Sequence, residues 1–145
     1  MIRQQHGYLL FTLQDRRYAV NLQQVAEVDE PPLTWPIPGS PPCYVGAMNF
    51  HDTIVAVMDL AAFLGLPSYH DLEKVIVADP RIASLAFLVE RVLKIAPPDQ
   101  VTLNEATDDP CASAVLHLPE GECILLDVAA IAQRAAETIN LKSYS

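Results

Sequence analysis

The chain has 145 residues, 51% of them apolar and 19% charged, with a formal net charge of −9. That length fits one domain or two small subdomains sharing a core, and that apolar share excludes a disordered chain. The acidity repels phosphate backbones and anionic lipid, which leaves a basic protein patch as the better partner, unless the charge serves solubility alone.

Twelve prolines against five glycines predict short elements joined by stiff turns. Tyr8–Leu13 (YLLFTL) reads as a strand, Gln14–Arg17 as a polar turn, and Tyr18–Leu22 (YAVNL) as the returning strand of a hairpin. Both faces of the first strand are mostly apolar, so both are expected to be covered. Gln23–Glu30 places Val25 and Val28 three apart. That spacing suits one helical turn or a short strand, and Glu30-Pro31-Pro32 ends either. Pro31–Pro42 is a proline-dense connector holding the only tryptophan. It reads as a rigid loop pinned to the core by Trp35 and Ile37, because Leu33, Trp35 and Ile37 are costly to expose. The other reading is an exposed ligand for a proline-recognising groove.

Tyr44–Phe50 and Thr53–Met58 flank His51-Asp52 and form the clearest hairpin. Two-residue hairpin turns demand positive φ, which Asp52 can adopt at some cost. Asp59 caps a helix over Asp59–Leu64, Gly65 ends it and Pro67 prevents its resumption. Glu73–Ala78, Leu85–Val89 and Val92–Ile95 read as strands, with a turn at Asp79-Pro80-Arg81 and a bend or bulge at Glu90-Arg91. Pro97–Pro110 reads as a surface loop. Ala114–Leu118 and Glu122–Leu126 make the last hairpin, across Pro119-Glu120-Gly121. Asp127–Ile139 is a helix capped by Asp127, with Val128, Ile131, Ala132, Ala135 and Ile139 on one face. Residues 140–145 are expected to fray. An apolar hairpin followed by an Asp-capped helix occurs twice, at Val45–Leu64 and Ala114–Gln133, a short hint of two related halves. Many short strands with few short helices predict small barrels or a sandwich.

Chemistry is sparse in this sequence. Cys43, Cys111 and Cys123 are odd in number and widely spaced, which predicts reduced thiols rather than a disulfide framework or a zinc site. His6, His51, His70 and His117 lack the spacing of metal ligands, so no metal and no cofactor are expected. Asp59 and Asp127 each follow a strand and open a helix, so capping explains them without catalysis. No nucleophile motif or phosphate loop is present, and an enzyme is the least favoured reading. No apolar run suits a signal segment or a membrane span, which predicts a cytoplasmic protein without membrane insertion.

Four stretches in order carry a family resemblance. Phe11, Leu13, Tyr18 and Ala19 match an opening F-x-L-x-x-x-x-Y-A strand. Val25, Glu27 and Val28 match a V-x-E-V segment. Gly46 to Leu60 follows the pattern G-x-x-N-L-R-G-x-I-x-P-V-x-D-L, and Val89-Glu90-Arg91-Val92 follows a V-D-x-V segment. Together, over roughly Tyr8 to Gln133, the chain resembles the CheW-like family. The resemblance implies a mainly β fold of two small five-stranded β-barrel subdomains with a shared core and short helices, including a C-terminal one. It implies a single CheW-like domain over 1–145 and a non-catalytic adaptor that couples chemoreceptors to a CheA-type histidine kinase. Val25 and Glu27 fall on the segment implicated in receptor contact. Asn49, Phe50, His51 and Asp52 form the tip of the signature hairpin, where loops reach partners. Gly46, Asp59, Gly65 and Asp127 are given structural roles at turns and caps.

His51 stands where the family has arginine, Asp52 where it has glycine, and Ala56 where it has proline. Imidazole offers fewer donors than guanidinium and titrates near neutrality, so contact through His51 would vary with pH. A diverged partner, or a small molecule bound between the barrels, is the alternative function. The amphipathic last helix either closes its own core or docks a partner or a second copy of the chain.

Overall fold

A computed structural model describes the backbone of residues 7–67, 71–104 and 108–143, and the side chains of the last helix through Glu137. His6 and His70 lie outside the described residues, and Ile139 has only its backbone within them.

The chain opens with β1 (Tyr8–Leu13) and β2 (Arg16–Asn21). A 3-10 turn at Leu22–Gln24 then leads into β3 (Val25–Asp29). The ambiguous Val25 region therefore contains both a helical turn and a strand, in sequence. β4 (Tyr44–Phe50), β5 (Thr53–Asp59) and α1 (Leu60–Phe63) follow, then β6 (Lys74–Ala78), β7 (Leu85–Val89) and β8 (Arg91–Ala96). The segment read as a loop contains a 3-10 turn at Pro98–Gln100 and β9 (Thr102–Asn104). β10 (Ala112–Leu118), β11 (Gly121–Leu126) and α2 (Val128–Ser143) complete the fold. The backbone of α2 thus continues past Ile139.

The strands form a six-stranded sheet, β8-β1-β2-β11-β10-β9, and a five-stranded sheet, β3-β6-β7-β5-β4. The two share a plan. In each, a hairpin (β1–β2 or β6–β7) lies parallel to the last strand of another hairpin (β11 or β5), and the next strand crosses into the opposite sheet. β3 crosses one way and β8 the other. The β4–β5 and β10–β11 hairpins carry a register shift at the same place, between Tyr44 and Gly46 and between Ala112 and Ala114. Asp59 N donates to Cys43 O and Asp127 N to Cys111 O, both at 2.8 Å. The short sequence repeat therefore marks a structural one.

Alternation along the strands separates three apolar clusters. Met48, Val55, Val57, Val75 and Val77 fill the concave face of the five-stranded sheet. Leu10, Ala19, Leu116 and Leu125 fill that of the six-stranded sheet. Between the sheets, Leu9, Phe11 and Val20 meet Met58, Ile76 and Phe87, with Leu60, Val128 and Ile131 added by the helices. The expected shared core is present.

The expected closed barrels are not. Each sheet stays open because the edge that closure would use is occupied. Trp35 bridges Ala47 on the outer edge of β4, with N–H···O distances of 3.0 and 2.8 Å, and β9 covers the outer edge of β10. The opposite edges, β3 and β8, turn Glu27 and Lys94 toward the concave face, since these residues pair with the inward Val77 and Leu10. Inward charges on edge strands oppose further pairing. Side chains bridge each gap instead. His51 reaches Glu27 in one sheet and Lys94 meets Glu120 in the other, in each case joining the hairpin turn to the crossing strand.

The first turn also differs from expectation. It has two residues, Gln14 and Asp15, with φ of 56° and 63°. Left-handed backbone costs such residues roughly 1–2 kcal/mol each. Glu90 supports the strained turn, accepting from Thr12 Oγ1 at 2.8 Å and from Asp15 N at 3.2 Å. The bend at Glu90, between β7 and β8, is thus tied to the first hairpin.

Asp59 accepts from Ala62 N at 3.3 Å, and Gly65 ends α1 at φ +81°. Asp127 accepts from Ala129 N at 3.0 Å, and Gln24 reaches across to donate to Asp127 and accept from Val128 N, both at 3.0 Å. Asp59→Ala and Asp127→Ala are each expected to cost about 1 kcal/mol, read as a lower urea midpoint at unchanged slope.

A candidate docking surface at the signature hairpin

The β4–β5 turn is built from His51 and Asp52, with φ of 49° and 66°. A two-residue turn with both φ positive matches strand twist, and His and Asp tolerate this region better than most side chains. The ladder before it pairs Phe50 with Thr53 and Asn49 with Ile54. Paired residues share a face. Phe50 therefore turns toward the concave cluster, against which it packs, while Asn49 and Ile54 face outward. Trp35, bridged to Ala47, lies on that same outward face.

The sheet's curl brings two separate sequence segments together. Glu27 on β3 and His51 at the turn sit on opposite edges of the five-stranded sheet, yet Nε2 and Oε1 are 3.4 Å apart. The His51 ring also meets Phe50 edge-on, with centroids 4.3 Å apart. Glu27, Asn49, Phe50, His51 and Asp52 are thus gathered around one end of the sheet. Val25 is placed differently. It pairs with Ala78 and packs against the shared core.

The His51–Glu27 contact is weak in energetic terms. Both side chains are well exposed, and exposed pairs contribute about 0–1 kcal/mol. The apolar neighbours matter more. Ile54 is 60% exposed, Trp35 46% and Leu33 93%. Burying one such side chain against a partner is worth up to about 1.5–3 kcal/mol. Sequence reasoning missed these three. It pinned the connector to the core by Trp35 and Ile37 and took Leu33 as costly to expose, whereas the backbone bridge at Trp35 holds the connector, Ile37 is only half-buried, and Leu33 and Trp35 are exposed. The alternation of β5 held the signal for Ile54, which falls out of phase with the inward Val55 and Val57.

Gly46 lies where the backbones of β4 and the connector approach closely. A Cβ there would sit 2.5 Å from the Trp35 carbonyl oxygen. Gly46→Ala is expected to break the Trp35–Ala47 bridge and destabilise by about 2 kcal/mol, read in the urea midpoint and in Trp35 fluorescence.

The thiols belong to the packing. Burial pushes Cys43, Cys111 and Cys123 above the ordinary thiol value of 9.0, with Asp59 adding to the effect at Cys43 and Asp109 at Cys111. A folded value above the unfolded one favours the neutral thiol. Its contribution to stability is complete below the unfolded value and is lost as pH rises through the folded one. The urea midpoint is therefore expected to fall above about pH 9, and less so in a variant with all three replaced by alanine.

Among the described residues, no helix is long and apolar enough to cross a membrane. A model of the CheW-like domain matches residues 7–136. No curated protein matches the sequence. Among solved structures, the chain is similar to the scaffolding protein TtCheW from Thermoanaerobacter tengcongensis, with a TM-score of 0.73 and 17% identity over 85% of this chain and 89% of that one. That identity speaks to fold alone, and the fold agrees with the match to the family model. The matched span runs from the first strand into the last helix and takes in the β4–β5 and β10–β11 hairpins, so the chain belongs to the CheW-like domain family.

Proposed function

We propose that this protein is a non-catalytic adaptor of bacterial chemosensory signalling, coupling chemoreceptors to a CheA-type histidine kinase or a diverged equivalent. One observation carries the reading. The β4–β5 hairpin and the connector bridged to it expose Leu33, Trp35 and Ile54, while the hairpin's turn carries Asp52 and reaches Glu27 through His51. Scattered exposed apolar residues are ordinary, but three associated with one hairpin and its bridged connector fit a docking surface. A partner with an apolar centre and a basic rim suits this patch and the net charge of −9.

His51 changes how that docking works. Where arginine would offer a permanent fork of donors, His51 offers a smaller group engaged with Glu27. Recognition here rests on apolar contact, with the ionic pair setting orientation. Calorimetric titration against the regulatory domain of the kinase encoded nearest to this gene tests the reading. Saturable one-to-one binding supports it. No binding to that domain, and none to the cognate receptor tip, would remove it.

A further inference from the structure

A second surface lies at the other end of the signature hairpin. The Cys43 and Asp59 end of β4–β5 is separated from the His51-Asp52 turn by the length of β4, roughly 20 Å. There the two structural repeats face each other across a cleft of about 960 Å³. Its apolar lining comes from both halves, with Cys43, Phe63 and Leu64 from one and Pro110 and Cys111 from the other. Its charged lining is unbalanced, with carboxylates at Asp108, Asp109 and Glu137 against the guanidinium of Arg134.

We infer that this cleft docks a cationic, amphipathic peptide segment of a protein partner. Apolar side chains of the segment would fill the space between α1 and α2, and its lysines or arginines would meet Asp108 and Glu137. Charge complementarity selects this occupant. Three carboxylates to one cation disfavour an acidic segment, and the apolar lining disfavours a simple hydrated cation. The cleft is also open to solvent, which suits a peptide better than an enclosed metabolite. An adaptor needs two surfaces that can be filled together, and these two lie at opposite ends of one hairpin. The inference rests on the adaptor reading for its biological sense and on the cleft for its chemistry.

The test uses the full chain and a fluorescein-labelled synthetic helix of leucine and lysine, with every leucine on one face. Fluorescence anisotropy at physiological salt is expected to show saturable binding. The double variant Asp108→Lys/Glu137→Lys should weaken it at least tenfold, and Ala62→Trp, which fills the cleft, should do the same. The double variant Asp99→Lys/Glu122→Lys makes the same change of net charge outside the cleft and should leave affinity within about twofold of the parent. A scrambled peptide of equal composition should bind at least tenfold more weakly. Equal loss from the two charge-reversed pairs, no loss on filling the cleft, or equal binding of the scrambled peptide overturns the inference. Titrating the kinase domain in parallel separates the two readings. Cleft binding without kinase or receptor binding leaves the cleft standing and removes the adaptor.

Discussion

Phe87→Ala is expected to cost about 3–5 kcal/mol and to lower the stability of both sheets in a single transition. Phe87 is 1% exposed on β7 and belongs to the same core cluster as Phe11, Val20 and Leu126 of the other sheet. Removing it leaves a cavity that neither sheet can collapse into alone, because each is also held by its own concave cluster. A domain of this size has about 5–15 kcal/mol in total, so the variant would be marginal at ambient temperature. The chain is expected to unfold as one cooperative unit. Both crossing strands leave the sheet of their preceding hairpin, so unfolding one sheet strips an edge from the other. Trp35 fluorescence reports the five-stranded sheet, and amide exchange in β1 and β10 reports the six-stranded one. Coincident urea transitions are the expected result, and separate midpoints would show two independent subdomains.

Much of this fold is legible in the sequence because its signals are local. Strand alternation and turn residues mark the β4–β5 and β10–β11 hairpins, and Asp59, Gly65 and Asp127 mark helix ends by chemistry acting within a few residues. What is not legible depends on tertiary contact. A turn is legible at Gln14–Arg17, but not its tight two-residue form, because Gln14 does not favour positive φ and the support comes from Glu90, far along the chain. β9 forms only because β10 offers it an edge. Barrel closure fails for the same kind of reason, since the Trp35 bridge and β9 occupy the needed edges. The candidate site follows this division. The motif identifies the turn at His51 and Asp52, but its meeting with Glu27 needs the curl of a whole sheet. The exposure of Leu33 and Trp35 needs a connector held by backbone bonds, which no hydrophobicity rule anticipates.

Ile54→Arg is expected to weaken the complex with the kinase regulatory domain by about thirtyfold, while His51→Ala weakens it by about threefold or less. The two substitutions separate apolar from ionic recognition. Ile54 is 60% exposed and makes little of the free protein's core, so replacing it should leave the urea midpoint near that of the parent. Within a complex its side chain would be covered, and a guanidinium there would be desolvated against an apolar partner. A central contact of that kind is worth about 2 kcal/mol, which corresponds to roughly thirtyfold in affinity. His51 works against a different background. Its 3.4 Å contact with Glu27 is exposed and screened, so its loss removes little, and Glu27 stays solvated. His51→Arg should bind as well as the parent or better, since the guanidinium keeps the pairing and adds donors. The two effects also differ in salt dependence, with the Ile54 loss unchanged between low and high salt and the His51 loss shrinking as salt rises. The apolar patch sets affinity on this account, and the reverse ranking, with His51→Ala the more damaging, would mean that charge pairing governs the interface.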